Sequence, residues 1–176
     1  MNLRILITLL CFSSYSPIDL GAGDIPADPK EAAEVFYTEL RRLGLHSLPT
    51  VEGWAPLAPR ATEELSSAIT RAQKEQAEFK KKSPDEKPPW VDGDLFSSLF
   101  EGPQTSIVGP ATVTGDSAEV AVTCTRTEGG DTIQWTDFLI LKKTAKGWLI
   151  DDLRYGGKWD FAATGTLRQS LATSPE

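Results

Sequence analysis

Asp151 and Asp152, within GWLIDDLRYGGKWDF at residues 147–161, are the most evident pair of residues able to do acid–base chemistry. Such chemistry needs both carboxylates to face one substrate. Successive residues of a strand point to opposite faces, so these two cannot act together unless a bulge intervenes. Asp137 is more suggestive, because it interrupts the apolar series Ile133, Trp135, Leu139 and Leu141 on one side of a period-two segment. A desolvated acid there would hold its proton more tightly and could serve as the base of a pocket. There is a simpler expectation: a two-residue turn at Ala145–Lys146 sets Thr144 opposite Gly147 and, counted back along both strands, Asp137 opposite Arg154. That would be a cross-strand ion pair worth about 0.2 to 1 kcal/mol.

The single histidine, His46, lies in a loop between Leu45 and Ser47, where no partner is readable and a solvated ring is expected. There is no glycine-rich phosphate loop and no histidine–cysteine cluster at metal-ligand spacing, so neither a cofactor nor a metal is expected. Cys124 in AEVAVTCTR reads as a small core hydrophobe. The aromatic residues Trp54, Trp90, Trp135, Trp148, Trp159 and Tyr155 are enough to line an apolar cleft, yet large rings also close the core of a small domain. Trp135 and Trp148 read as core. Trp54 and Trp90, in proline-rich loops, read as a pocket rim or partner surface. The candidate ligand-binding set is therefore Asp137, Tyr155, Trp135, Trp54 and Trp90.

Two helices and four strands must position these residues. Ala33, Phe36, Tyr37, Leu40 and Leu43 recur at helical spacing behind Asp28 and Pro29, and Gly44 stops the run. A second helix spans about 60–82, with Leu65, Ile69, Ala72 and Phe79 on one face. SPDEKPPW, with three prolines in eight residues, ends it. VDGDLFSSLFEGP then predicts one short helix or a compact apolar loop. From Thr105 the pattern becomes period two, giving strands at about 105–114, 117–126, 132–143 and 147–155. Their turns, at Gly115–Asp116, Glu128–Asp131 and Ala145–Gly147, are too short for anything but antiparallel neighbours. Gly109–Pro110 marks an edge or bulge in the first strand. Helices first and an antiparallel sheet second make an α+β domain. The last two strands carry apolar residues on both faces, with Leu149 and Leu153 opposed to Trp148 and Ile150, so the segment 158–171 is expected to cover the second face.

At the N-terminus, Arg4 precedes an uncharged apolar run from Ile5 to Phe12 and a polar stretch ending in Gly21, Ala22 and Gly23. This is the layout of a cleaved signal peptide over residues 1–22, followed by one domain over 23–176. The run is too short to span a bilayer, so no stable membrane insertion is expected after cleavage. Cys11 follows two leucines, a poor context for lipid attachment. With 25 acids against 18 bases the chain carries a net charge of −7. That acidity disfavours a nucleic-acid partner, whose phosphates it would repel.

FYTELRRLG in the first helix, the VDGDLF turn, and GWLIDDLRYGGKWDF followed by GTLRQSL together resemble uncharacterised bacterial envelope proteins of the cystatin-like, nuclear transport factor two-like superfamily. The resemblance covers most of the mature chain. It implies N-terminal helices packed on a curved antiparallel sheet, with a conical pocket between them, and it implies no activity for any residue here. The expectation is a secreted, periplasmic protein that binds a small apolar ligand or a protein partner and performs no chemistry. A second reading is an isomerase or lyase with Asp137 as base and Tyr155 as donor. A third, resting on acidity, is an inhibitor or immunity protein for a basic toxin or cell-wall hydrolase.

Overall fold

The first helix begins where its sequence provides a cap. The Asp28 side chain accepts from the Glu31 amide at 3.0 Å, Pro29 occupies the first turn, and Arg41 and Arg42 close the last one, opposite the negative end of the helix dipole. This computed structural model describes residues 25–172, so the expected signal segment and Cys11 lie outside the described residues. Helix α1 (Pro29–Arg42) buries Ala33, Phe36, Tyr37 and Leu40 against a four-stranded antiparallel sheet. It touches β1 (Thr105–Thr114), β2 (Ser117–Glu128) and β4 (Gly147–Arg154), and so lies across the strands. The one-turn α2 (Val51–Trp54) and a 3-10 turn at Ala58–Arg60 lead to α3 (Glu63–Lys82), and α4 (Leu167–Ser170) closes the described chain.

The sheet is a meander in the order β1-β2-β3-β4, where β3 is Asp131–Thr144. Two-residue turns set the pairs Thr114 with Ser117, Glu128 with Asp131 and Thr144 with Gly147, as the turn residues predict. The register of the edge strand β1 shifts between Val108 and Ala111, around Gly109–Pro110. The inner face carries Val120, Val122 and Cys124 from β2 and Trp135, Asp137, Leu139 and Leu141 from β3. Ile133, expected in the same apolar series, is 44% exposed, because the far ends of β2 and β3 extend past the helix.

A second irregularity changes several expectations. Lys142 faces Leu149 and Leu141 faces Ile150, but Ile140 faces Asp152, so Asp151 is an inserted residue. The insertion switches the alternation, and Leu153 and Tyr155 join Trp148 and Ile150 on the inner face instead of opposing them. It also moves Arg154 opposite Phe138, so the expected Asp137–Arg154 ion pair does not form. Arg154 is instead on the outer face, 2.7 Å from Glu119 and 4.0 Å over the Phe138 ring. The tail does not cover that outer face. Leu167 and Leu171 are buried in the main core, and Trp159 packs edge-on against Trp135, an inner-face residue. Residues 91–102 form a compact loop, not a helix.

Candidate functional site

Asp151 and Asp152 hold the fold together. Asp151 accepts from the Thr62 hydroxyl at 2.9 Å, and Thr62 in turn caps α3 by accepting from the Leu65 amide. Lys142 at 3.2 Å and Arg168 at 3.1 Å neutralise its charge. Asp152 accepts from the Arg168 amide at 3.0 Å, anchoring α4. The pair therefore joins two helix starts to β4.

Asp137 is fully buried, with 0% of its surface exposed. Its carboxylate accepts from Trp135 Nε1 at 2.8 Å, the amides of Ser98 and Gly156 at 3.0 Å each, Ser97 Oγ at 3.3 Å and, very closely, Ser98 Oγ. A carboxylate offers about four lone-pair sites. Five donors leave no lone pair facing a substrate, so Asp137 is a buried tie between β3, the 97–98 turn and the chain after β4. Gly156 approaches so closely that any Cβ would strike the Thr136 carbonyl.

The other expected site residues are scattered. Trp135 joins Asp137 through its indole N–H. Tyr155 donates to the Leu95 carbonyl at 2.8 Å, and burial, followed by that environment's charges, pushes its phenol well up. Tyr155 lines a surface cleft of about 290 Å³ with Ser97, Ser98 and the exposed rings of Phe100 and Phe161. Trp54 and Trp90 are each only 5% exposed, so both are core and not rim. Trp90 accounts for its N–H by donating to the Ser170 carbonyl at 3.0 Å. Helix α2 delivers the Trp54 ring inward, and the proline-rich loop before Val91 delivers that of Trp90.

A different set of residues comes together beside α1. Tyr37, Leu40 and Arg41 from the helix, Leu45 and His46 from the loop after it, Asp94 and Phe96 from the 91–102 loop, and Pro103 line a half-open cavity of about 150 Å³. The Leu95 amide, donating to the His46 carbonyl at 2.7 Å, fastens the two loops together. His46 Nδ1 lies 3.1 Å from Asp94 Oδ2, while Asp94 Oδ1 accepts from the Phe96 amide at 2.7 Å. Burial raises the affinity of Asp94 for its proton, and the His46 contact partly opposes this. Arg41 donates to Ser106 Oγ at 2.7 Å and to the Gln104 carbonyl at 2.6 Å, bracing the mouth against β1.

The least satisfied group in this wall is Tyr37. Its ring is 5% exposed, yet its buried hydroxyl has no hydrogen-bond partner. Leaving such a group unpaired costs about 1 to 3 kcal/mol. Burial, then nearby Cys124, Asp137 and Asp94, pushes its pKa well up, so the phenol keeps its proton and remains a donor. Tyr37, Arg41, His46 and Asp94 were not candidates from sequence. The available signal was Tyr37 itself: a tyrosine at a core-facing helical position needs an acceptor for its hydroxyl.

Among the described residues, no group of three or more histidine, cysteine, aspartate or glutamate side chains is placed to hold a metal ion, and no helix is long and apolar enough to cross a membrane. Comparison with known protein families and with curated proteins gives no match. Among solved structures, the phospholipid-binding protein from Ralstonia solanacearum, in complex with a phospholipid, is similar at 13% identity over 82% of this chain and 83% of its own, with a TM-score of 0.42. A likeness that slight leaves the reading of the site to this chain's own residues.

Proposed function

We propose that this protein binds a small, largely apolar molecule in the cavity beside α1 and performs no chemistry on it. The observation that carries the reading is the cavity wall itself, in which Leu40, Leu45, Phe96, Pro103 and the Tyr37 ring stand beside Arg41, His46 and Asp94. About 150 Å³ is room for a group the size of a benzene ring. Pockets of this kind, apolar with a few convergent polar groups, are the usual form of small-molecule sites. The finer expectations belong to the same reading: export directed by residues 1–22, a periplasmic location, and a cystatin-like, nuclear transport factor two-like fold, supported by a helix laid across an antiparallel meander.

The test is thermal unfolding with and without toluene, for the parent and for Leu40→Phe, which fills the cavity from its helical wall. A ligand at a hundred times its dissociation constant stabilises by about 2.7 kcal/mol. Stabilisation of the parent and its loss in Leu40→Phe is the expected result. No stabilisation of the parent, or equal stabilisation of both, contradicts the proposal.

A further inference from the structure

We infer that the open edge of β1 pairs with β1 of a second copy of this chain, antiparallel, about a two-fold axis at Gly109–Pro110. The two edges of the sheet are finished differently. Along β4 and its continuation, the Trp148 amide donates to the Pro26 carbonyl at 3.0 Å, the Ile150 carbonyl accepts from the Thr62 amide at 2.8 Å, and the Tyr155 amide donates to the Gly165 carbonyl at 3.1 Å. Along β1, no described segment other than β2 bonds to the backbone. Open edge strands are ordinarily guarded by charge, above all by lysine. The sequence of β1, TSIVGPATVT, contains no charged residue, and it leaves Ile107 67% and Val113 53% exposed.

The turns determine which backbone groups β1 presents. Thr114 and Ser117 close a two-residue turn and bond to each other, as do Glu128 and Asp131. By alternation the odd-numbered residues of β2 bond to β1 and the even-numbered ones to β3. Ser106 and Val108, opposite Cys124 and Val122, and Ala111 and Val113, opposite Val120 and Ala118, therefore point their amides and carbonyls away from β2. Gly109–Pro110, where the register shifts, separates these two runs, and proline has no amide to offer. An uninterrupted partner strand would not fit that break. A second β1 carries the same break at the same place. Turned about the two-fold axis, Ser106 meets Val113 of the partner subunit, Val108 meets Ala111 of the partner subunit, and the two bulges coincide. Ile107 comes beside Thr112 of the partner subunit on the outer face. No like charges meet along the seam, and opposite charges meet at its ends. Arg41, held to Ser106 Oγ and the Gln104 carbonyl, comes beside the turn that carries Asp116 of the partner subunit. Among the described residues neither Arg41 nor Asp116 forms an ion pair within one chain. A seam of one strand falls short of the roughly 1,200 Å² of a standard interface, so the association is weak and depends on concentration.

The experiment is sedimentation velocity at fixed ionic strength, at concentrations up to about 1 mM where weak interfaces fill, together with amide hydrogen exchange by NMR. The mass should rise toward that of two chains as the concentration increases. Over the same range the amides of Ser106, Val108, Ala111 and Val113 should slow their exchange several-fold, while those of Ile107 and Thr112, already bonded to β2, should not change. Ala111→Pro removes an outward amide, and Ile107→Lys, at an exposed position that leaves the fold intact, puts a charge on the seam; each should hold the protein monomeric with its circular dichroism unchanged. Arg41→Glu should weaken the association, and adding Asp116→Arg to it should restore it. A protein that stays monomeric at every concentration would overturn the pairing of two copies. A dimer unaffected by Ile107→Lys, one that protects other amides, or one that the charge exchange does not restore would place the contact elsewhere and refute this pairing.

Discussion

Replacing Asp137 by asparagine changes almost nothing in shape and much in bonding. One carboxylate oxygen accepts from Ser97, the Ser98 amide and Trp135, and the other from Ser98 Oγ and the Gly156 amide. An asparagine keeps its oxygen most favourably on the first set and turns its NH2 toward the second. Ser98 Oγ already accepts from the amides of Gly156 and Gly157 at 2.9 Å each, so its own proton is left without an acceptor. Two charge-assisted bonds at about 1.5 to 3 kcal/mol apiece give an expected loss of about 3 to 6 kcal/mol. That is a large share of the roughly 5 to 15 kcal/mol that stabilises an ordinary domain. Urea denaturation followed by tryptophan fluorescence and far-ultraviolet circular dichroism measures it, with an unchanged slope showing that the two states being compared are the same. A loss under about 1 kcal/mol, the range of an exposed ion pair, would refute the assignment of Asp137 as a buried tie.

Three further outcomes follow from the same geometry. Arg154→Ala should cost no more than about 1 kcal/mol and show no measurable coupling to Asp137→Asn in a double-mutant cycle, because Arg154 contacts Glu119 and Phe138 on the opposite face; a coupling above about 1 kcal/mol would restore the ion pair. Trp148→Ala, removing a buried ring, should cost about 3 to 5 kcal/mol in the same denaturation assay, and a loss near zero would remove Trp148 from the core. Asp94 holds its proton more tightly folded than unfolded, so its contribution is most favourable below its ordinary pKa of 3.8 and declines as pH rises through the higher folded value. The stability of the parent relative to Asp94→Asn should therefore fall as pH rises from 3.8, and a difference that grows with pH would contradict this sign.

The meander was legible because its turns are short and rich in glycine, and Asp137 was legible as an acid on an inward-facing series. The inserted Asp151 was not. An added residue leaves the composition of a strand unchanged, and only its pairing with β3 reveals that Leu153 and Tyr155 have changed face. The error at Arg154 follows directly, since register counted from the Ala145–Lys146 turn holds only as far as Ile150. Trp54 and Trp90 misled for another reason: proline-rich loops are usually superficial, but here the Leu48 amide donates to the Trp90 carbonyl and draws that loop inward. The cavity was beyond local pattern altogether, because His46 and Asp94 are 48 residues apart and meet only after both loops have folded over α1.

The claim that this cavity is the ligand site is tested most directly by intermolecular nuclear Overhauser effects between toluene and the isotope-labelled protein at saturation. Cross-peaks are expected from the toluene methyl and ring protons to Tyr37, Leu40, Leu45 and Phe96, which line the cavity. Cross-peaks confined to Phe100 and Phe161 at the larger cleft, or none at saturating toluene, would contradict it.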